Sequence, residues 1–383
     1  MPFHRATYAE IDLKAFRENL RGVRAIIGPQ VKIMAVVKAD GYGHGAVHCA
    51  RAALEAGADS LGVAILEEGI ELRENNIRAP ILLLCGIFPD EIEDFLQYDL
   101  ATTLYGLPLA KALAQQAKQK NQTVAVHLKT ETGMGRLGIP HEELLCFVKQ
   151  IQEYKNLRIE AVATHFSSAD EEEPDYTLMQ LSRFNQALNE LRMEGVPLPL
   201  VHSANTSALI RFPQSRFNMV RPGILLYGAL PSPGLQTDLI SAKTSTWDGD
   251  FQPVMHWKSK ILQINEVPKG CALSYGGRFV TKENSRIAVL PVGYADGLNR
   301  RLSNKMKVLV RGTPVPQVGT ICMDLCLADV TGVPEAEVGD EVVLFGRQGK
   351  AVITVDEMAQ WADTLSYEIL CNVGKRVPRV YLT

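Results

Sequence analysis

Nowhere does the chain hold an uninterrupted apolar run of about 18 residues, the length a membrane-spanning helix needs. Its start, "MPFHRATYAEIDLKAF", lacks the apolar core and small-residue cleavage site of a secretory leader. Cysteine is scarce: seven among 383 residues (Cys49, Cys85, Cys146, Cys271, Cys322, Cys326, Cys371), odd in number and irregularly spaced. That pattern excludes a disulfide framework, and most of the seven are expected to be small buried hydrophobes. No block of like charges appears and the formal net charge is only −3, so nothing electrostatic favours nucleic acid or an acidic membrane surface. Short-period repeats and low-complexity tracts are absent as well. These absences leave a cytoplasmic protein whose partners are small molecules or copies of itself.

What is present is a chain too long for one hydrophobic core, with 46% apolar and 22% charged residues, so two domains are expected. From residue 31 to about 230, short β-rich runs alternate with helical patterns. "IMAVVK" leads into "AVHCARAALEAG", where Val47, Ala50 and Leu54 share a helical face and Gly57 stands where a helix ends. "SLGVAI" leads into a charged helix with Leu66, Ile70 and Leu72 as its apolar positions. Further strands are read in "PILLLC", "LATTL", "TVAVHLKT", "IEAVATHF", "LPLVHSAN" and "NMVRPGILLYG", and a helix with Leu181, Phe184, Leu188 and Leu191 in step runs from near Pro174 to Gly195. Eight runs, apolar throughout rather than alternating, suit parallel strands covered on both faces and hence an α/β fold of the (β/α)8, TIM-barrel type. A doubly wound open sheet is the rival. After a Pro/Gly/Ser stretch, Gly228 to Gln236, the pattern turns to β runs punctuated by glycine and proline, with helical patterning only in "TVDEMAQWADTL" and near the end. The expected division is a barrel over 1–236 and a mostly β domain over 237–383.

Ligands of such barrels sit at the C-terminal ends of the strands, and polar residues recur there. Lys38 ends the first run, Lys129 and Arg136 follow the fifth, His165 ends the sixth, Asn205 and Thr206 end the seventh, and Arg221 and Gly223 lie in the eighth. Each alone has a structural reading: a snorkelling lysine, a solvated loop, a satisfied core histidine. Recurrence at one rim favours function. Burial and nearby cations push a lysine toward its neutral amine, the form that makes a Schiff base. Backbone amides of Gly223 and Ile224, with Thr206, stand where barrels of this type often bind phosphate. A phosphate opposite a Schiff-base lysine suggests pyridoxal 5′-phosphate. In the second domain Tyr275 of "SYGGRF" and Cys322, Met323 and Asp324 of "GTICMD" acquire no role from local pattern, and Cys322 with Cys326 lacks the further ligands of a metal site.

Motifs in order along the chain, "AVVKADGYGHGA", "HLKTETGMGRLG", "THFSSAD", "FNMVRPGILLYG", "LSYGGRF", "PVGYADG", "VGTICMD" and "SYEILC…GKRVPRVY", closely resemble those of the bacterial alanine racemases. The resemblance implies a pyridoxal-phosphate isomerase that interconverts L-alanine and D-alanine for peptidoglycan. It also implies a head-to-tail homodimer in which each β domain covers the partner's barrel mouth, with the first strand (about 6–12) joining the β domain. Lys38 would hold the cofactor and act as base on D-alanine, and Tyr275, from the opposite subunit, would act on L-alanine. Two bases on opposite faces let one remove the α-proton while the other returns one from behind. His165 would support that tyrosine, itself held by Arg221, which would face the pyridine nitrogen. Tyr42, Asn205, Thr206, Gly223, Ile224 and Tyr367 match cofactor-binding positions. Arg136 and the Met323 amide match contacts to the substrate carboxylate, and Tyr294 a residue narrowing the substrate passage. Lys129 matches a lysine carbamylated in some members. Thr206 stands where serine is common, and Gly277 and Arg278 replace small or hydroxyl residues. A broader-specificity racemase of serine or basic amino acids is the alternative of the same fold. A non-catalytic cofactor-binding barrel lacks the β domain, and decarboxylases of this architecture resemble the chain weakly.

Overall fold

A computed structural model describes residues 4–232, 234–242, 247 and 249–383. The barrel's outer wall begins with a helix, Leu13–Ile27, whose first turn is fixed by Asp12: its carboxylate accepts the Ala15 N–H at 2.9 Å. Phe16, Leu20, Val23 and Ile27 recur at helical spacing and are buried on one face, and Gly28 ends the helix at φ +80°.

Eight parallel strands follow: Lys32–Val36, Ser60–Val63, Ile81–Leu83, Ala101–Leu104, Val124–Glu131, Leu157–Ala163, Leu200–His202 and Met219–Val220. The eighth pairs back onto the first (Met219 opposite Lys32) and the fourth onto the fifth (Thr102 opposite Val126), so the sheet closes on itself. Closure excludes the open doubly wound sheet. Ile33 to Val37 are buried without alternation, as strands lined by helices outside and side chains inside require. Inside, Met34, Leu82, Ala101 and Met219 form their own apolar cluster, separate from the core beneath the helices.

Three expectations need correction. Only Met219–Val220 of the eighth run is strand; Ile224–Tyr227 is a 3-10 turn, because Pro222 has no N–H for a ladder and Gly223 sits at φ −120°, ψ −97°. The expected linker gives way at Leu235 to a helix, Leu235–Ala242, that buries Leu235 and Leu239 four residues apart, while Pro233 lies outside the described residues. Only Cys49 and Cys326 are buried among the seven free cysteines; Cys85, Cys146 and Cys371 are exposed.

Beyond the barrel lies a sheet in the order 263–267, 285–290, 326–329, 313–318, 307–310, 341–348, 255–260, 8–12, 379–382. The strand Tyr8–Asp12 runs antiparallel to Met255–Lys260 and parallel to Arg379–Leu382. Helices Val355–Ala362, opened by a Thr354–Glu357 capping box, and Ser366–Cys371 carry the chain back against the barrel mouth. Among the described residues no helix is long and apolar enough to cross a membrane.

Candidate active site

Lys38 leaves the first strand into a left-handed turn: Ala39, Asp40, Gly41, Tyr42 and Gly43 all have φ between +51° and +81°. Each non-glycine residue in that region costs about 1–2 kcal/mol, so the turn needs tertiary support. Glu68 supplies part of it. Its two carboxylate oxygens accept the N–H groups of Ala39 and Ala64, each at 2.6 Å, joining the ends of the first two strands. Asp40 accepts the Ala46 N–H at 2.8 Å, and Arg379 donates to the Gly43 carbonyl at 3.0 Å. A side chain at Gly43 would put its Cβ 2.4 Å from the Leu370 carbonyl oxygen, so the turn and the helix Ser366–Cys371 are fitted together through that glycine. The result sets Lys38 at the mouth and buries Tyr42 beneath it, its ring 4.8 Å from Tyr227 and 5.9 Å from Tyr367.

Across the mouth stands a group of bases and cations. Arg221 is buried, donating through Nη2 to the carbonyls of Thr164 (2.9 Å) and Ser203 (3.1 Å) and to His165 Nδ1 (3.2 Å), and through Nη1 to His202 Nδ1 (2.5 Å). Burial pulls its guanidinium down to about 10, which still leaves it a cation at neutral pH. Burial, with the charges of Lys129, Arg221, Arg136 and Lys38 around it, holds His165 well below the ordinary imidazole range. His165 is therefore neutral, and because its Nδ1 accepts from Arg221 its proton resides on Nε2. Burial and then Arg221 and Arg136 likewise hold Lys129 well below the ordinary lysine range. Arg136 is exposed in the loop after the fifth strand. That loop is wound around Glu131, whose carboxylate accepts the N–H groups of Gly133, Gly135 (2.9 Å) and Arg136 (3.3 Å).

A third group is a cradle of small donors. Thr206 opens the helix Thr206–Arg211 and its hydroxyl accepts the Gly223 N–H at 3.2 Å. The Asn205 side chain is committed to capping that helix, accepting the Ala208 N–H at 3.0 Å. Ile224 is fully buried at the start of its 3-10 turn, and among the described residues no acceptor in the chain meets its N–H. At Gly223 a Cβ would lie 2.5 Å from the Tyr42 hydroxyl. Thr206, Gly223, Ile224 and Tyr42 thus converge, with Tyr367 alongside.

Tyr275, Tyr294 and Met323 are held elsewhere. Tyr275 begins a 3-10 turn behind Ser274, which takes φ +61°, and is tethered by Thr320, whose hydroxyl donates to the Tyr275 carbonyl at 2.9 Å. Tyr294 donates its N–H to the Cys322 carbonyl, and Ala295 to that of Met323, both at 3.0 Å. Buried Asp296 anchors this platform, accepting from Gly293 N–H and pairing with Arg5 and Arg376. Tyr275 is 71% exposed and Met323 53%, and no hydrogen bond among the described residues joins this platform to the barrel mouth of its own chain. Within one chain the sequence-selected residues therefore form two groups: Lys38, Tyr42, Lys129, Arg136, His165, Asn205, Thr206, Arg221, Gly223, Ile224 and Tyr367 at the mouth, and Tyr275, Tyr294 and Met323 on the platform. Sequence reasoning missed Glu68, His127 and His202. The two histidines carried a signal, since His127 breaks the apolar run 124–128 and His202 ends the strand Leu200–His202.

Residues 11–231 match the family described as alanine racemase, N-terminal domain, and residues 254–381 match alanine racemase, C-terminal domain. The alanine racemase of Halothermothrix orenii is 45% identical over 377 residues, covering 98% of this chain and 97% of that one. That of Methanococcus maripaludis is 40% identical over 376 residues, covering 98% of each. Among solved structures, the alanine racemase of Bacillus anthracis with bound L-Ala-P superposes with a TM-score of 0.91 at 37% identity, over 100% of this chain and 96% of that one.

Proposed function

Since the chain belongs to the alanine racemase family, we propose that it interconverts L-alanine and D-alanine on pyridoxal 5′-phosphate at a site assembled from two copies of itself. It is an isomerase. The observation that carries the proposal is the convergence at one barrel mouth of Lys38, the neutral His165, the buried Arg221 and an anion cradle.

The residues present fit that cofactor. A buried N–H without an acceptor at Ile224, beside Thr206 and the Tyr42 hydroxyl, suits a phosphate, and only glycine at 223 leaves room for that hydroxyl. Asn205 would contribute by capping the turn that carries Thr206. Arg221 would present a cation rather than a carboxylate to the ring nitrogen, which would keep that nitrogen unprotonated. When bound, pyridoxal phosphate supplies a conjugated system that takes up the electrons released at the α-carbon. Lys38 would hold it covalently through its amine and exchange a proton with D-alanine. Tyr275 of the partner subunit would exchange a proton with L-alanine, and the Nε2 proton of His165 is the donor available to steady its phenolate. Arg136 and the Met323 N–H would bind the substrate carboxylate, with Tyr294 narrowing the passage. Burial, Arg221 and Arg136 favour the unprotonated amine of Lys129, which would add to carbon dioxide and release a proton to give a carbamate, whose anion would orient the Arg136 guanidinium.

The dimer is supported by complementary faces. Ile65 and Phe88 are exposed on loops after the second and third barrel strands, and Tyr275, Tyr294, Met323 and Leu325 are exposed on the platform. A two-fold arrangement pairs each mouth with the other chain's platform, burying both patches twice. A cytoplasmic location accords with seven free thiols.

Purified protein supplied with pyridoxal phosphate is expected to racemise L-alanine, with L-serine and L-lysine turned over far more slowly. Faster turnover of lysine than alanine, read by chiral chromatography, would sink the alanine assignment. The cradle is tested separately. Replacing Gly223 by alanine forces the Tyr42 hydroxyl away, and because a hydrogen bond to a charged group contributes about 1.5–3 kcal/mol, pyridoxal phosphate affinity should fall roughly 10–100-fold. Unchanged affinity of Gly223→Ala by equilibrium dialysis would mean that the phosphate sits elsewhere.

A further inference from the structure

Three residues of the helix Asp175–Met193, spaced i, i+4 and i+7 along one face, reach the loops that carry Arg136 and His165. The Tyr176 hydroxyl donates to the Gly133 carbonyl at 2.8 Å, and Arg183 donates through Nη1 to the Thr132 carbonyl at 3.1 Å. Between them Gln180, fully buried, spans both loops. Its Nε2 donates to the His165 carbonyl at 3.1 Å and to the Thr132 hydroxyl at 3.4 Å, while its Oε1 accepts the Ser167 N–H at 3.0 Å and the Ser167 hydroxyl at 3.1 Å. The fit is close. A side chain at Gly133 would put its Cβ 3.0 Å from the Tyr176 hydroxyl and 3.1 Å from Gln180 Cγ.

The amide at 180 has one orientation, because a carbonyl only accepts and a backbone N–H only donates: Nε2 must face His165 and Oε1 must face Ser167. The pattern continues inward. Thr132 donates its hydroxyl proton to Thr164 at 2.8 Å, since the Thr164 proton goes to the Thr130 carbonyl at 3.0 Å, and the Thr164 carbonyl accepts from Arg221 at 2.9 Å. Glu131 winds the Arg136 loop from within, and the helix holds it from outside. An apolar side chain at 180 would strand the Ser167 N–H and the His165 carbonyl together. We infer that Gln180, with Tyr176 and Arg183 beside it, is a positioning residue that fixes the spacing between Arg136 and His165, and so between the group proposed to bind the substrate carboxylate and the group proposed to steady the partner's tyrosine.

Only the kinetic arm of the test rests on the racemase reading; backbone hydrogen exchange, read by mass spectrometry on the full-length protein, needs no turnover. Gln180→Met keeps the length of the side chain and removes its donors and acceptor. Exchange should quicken together in 132–138 and 165–168, and with pyridoxal phosphate supplied, kcat should fall and KM for L-alanine should rise, each on the order of 10-fold. Tyr176→Phe releases Gly133 alone. It should quicken exchange in 132–138 only and raise KM with a much smaller loss of kcat. Gln180→Leu serves if Gln180→Met does not fold. Exchange that quickens at one loop only, or at neither, in the folded position-180 variant overturns the inference, as do native kcat and KM in that variant or equal losses of kcat in it and in Tyr176→Phe. A native protein inactive on alanine, with the paired exchange present in the position-180 variant, would instead tell against the racemase reading alone.

Discussion

Lys38→Ala protein is expected to carry no visible absorbance from covalently held pyridoxal phosphate and to racemise alanine at least about 10⁴-fold more slowly than the native protein. The size of the effect comes from two losses at one atom. In the proposed reaction the Nζ amine would both anchor the cofactor and exchange a proton with D-alanine, and Lys129 is not placed to replace it: it issues from the fifth strand, pinned in its ladder opposite Ala163. Folding should survive, because the left-handed turn is held by Glu68, Asp40 and Arg379 rather than by Lys38 itself. A native melting transition with no visible band is the expected pair of results. A variant that kept both the band and turnover would move the chemistry away from the first strand.

The second large effect is expected at Tyr275 and has a signature of its own. L- and D-alanine are mirror images of equal free energy, so loss of one base must slow net racemisation equally in both directions. Phenylalanine at 275 keeps the ring and removes only the hydroxyl, and net turnover should fall roughly 10²–10⁴-fold, the contribution of a positioned general base. Exchange of the α-proton with deuterated solvent separates the faces. Tyr275→Phe should retain exchange from D-alanine, which faces Lys38, and lose it from L-alanine. Equal loss of exchange from both enantiomers would contradict the assignment of one base to each face.

Much of the barrel mouth was legible because its chemistry interrupts an apolar pattern. Lys38 and His165 each close a run of buried residues, Arg221 directly follows the strand Met219–Val220, and a closed barrel brings these strand ends to one rim. What local pattern could not convey is the conformation between them. Ala39, Asp40 and Tyr42 have no intrinsic reason to adopt positive φ; they do so because Glu68 and Arg379, 26 or more positions away from Tyr42, bind the backbone there. The eighth run misled for the opposite reason. "ILLYG" is apolar enough for a strand, yet Pro222 and Gly223 before it take the chain out of the ladder and release the Ile224 N–H for a ligand. Tyr275 had no local mark at all. It follows a two-residue strand, Ala272–Leu273, on an exposed turn, and the role proposed for it depends on a second chain.

That dependence is the central claim, and mixing two inactive proteins tests it most directly. Lys38→Ala and Tyr275→Phe homodimers should each be nearly inactive. After subunit exchange about half the dimers are hybrids, and in each hybrid one mouth carries both lesions while the other carries neither. Activity should therefore recover to about a quarter of the native value, the figure for one intact site in half of the molecules. If Tyr275 instead serves the mouth of its own chain, every site in every hybrid keeps one lesion, and the mixture will stay as inactive as its parts.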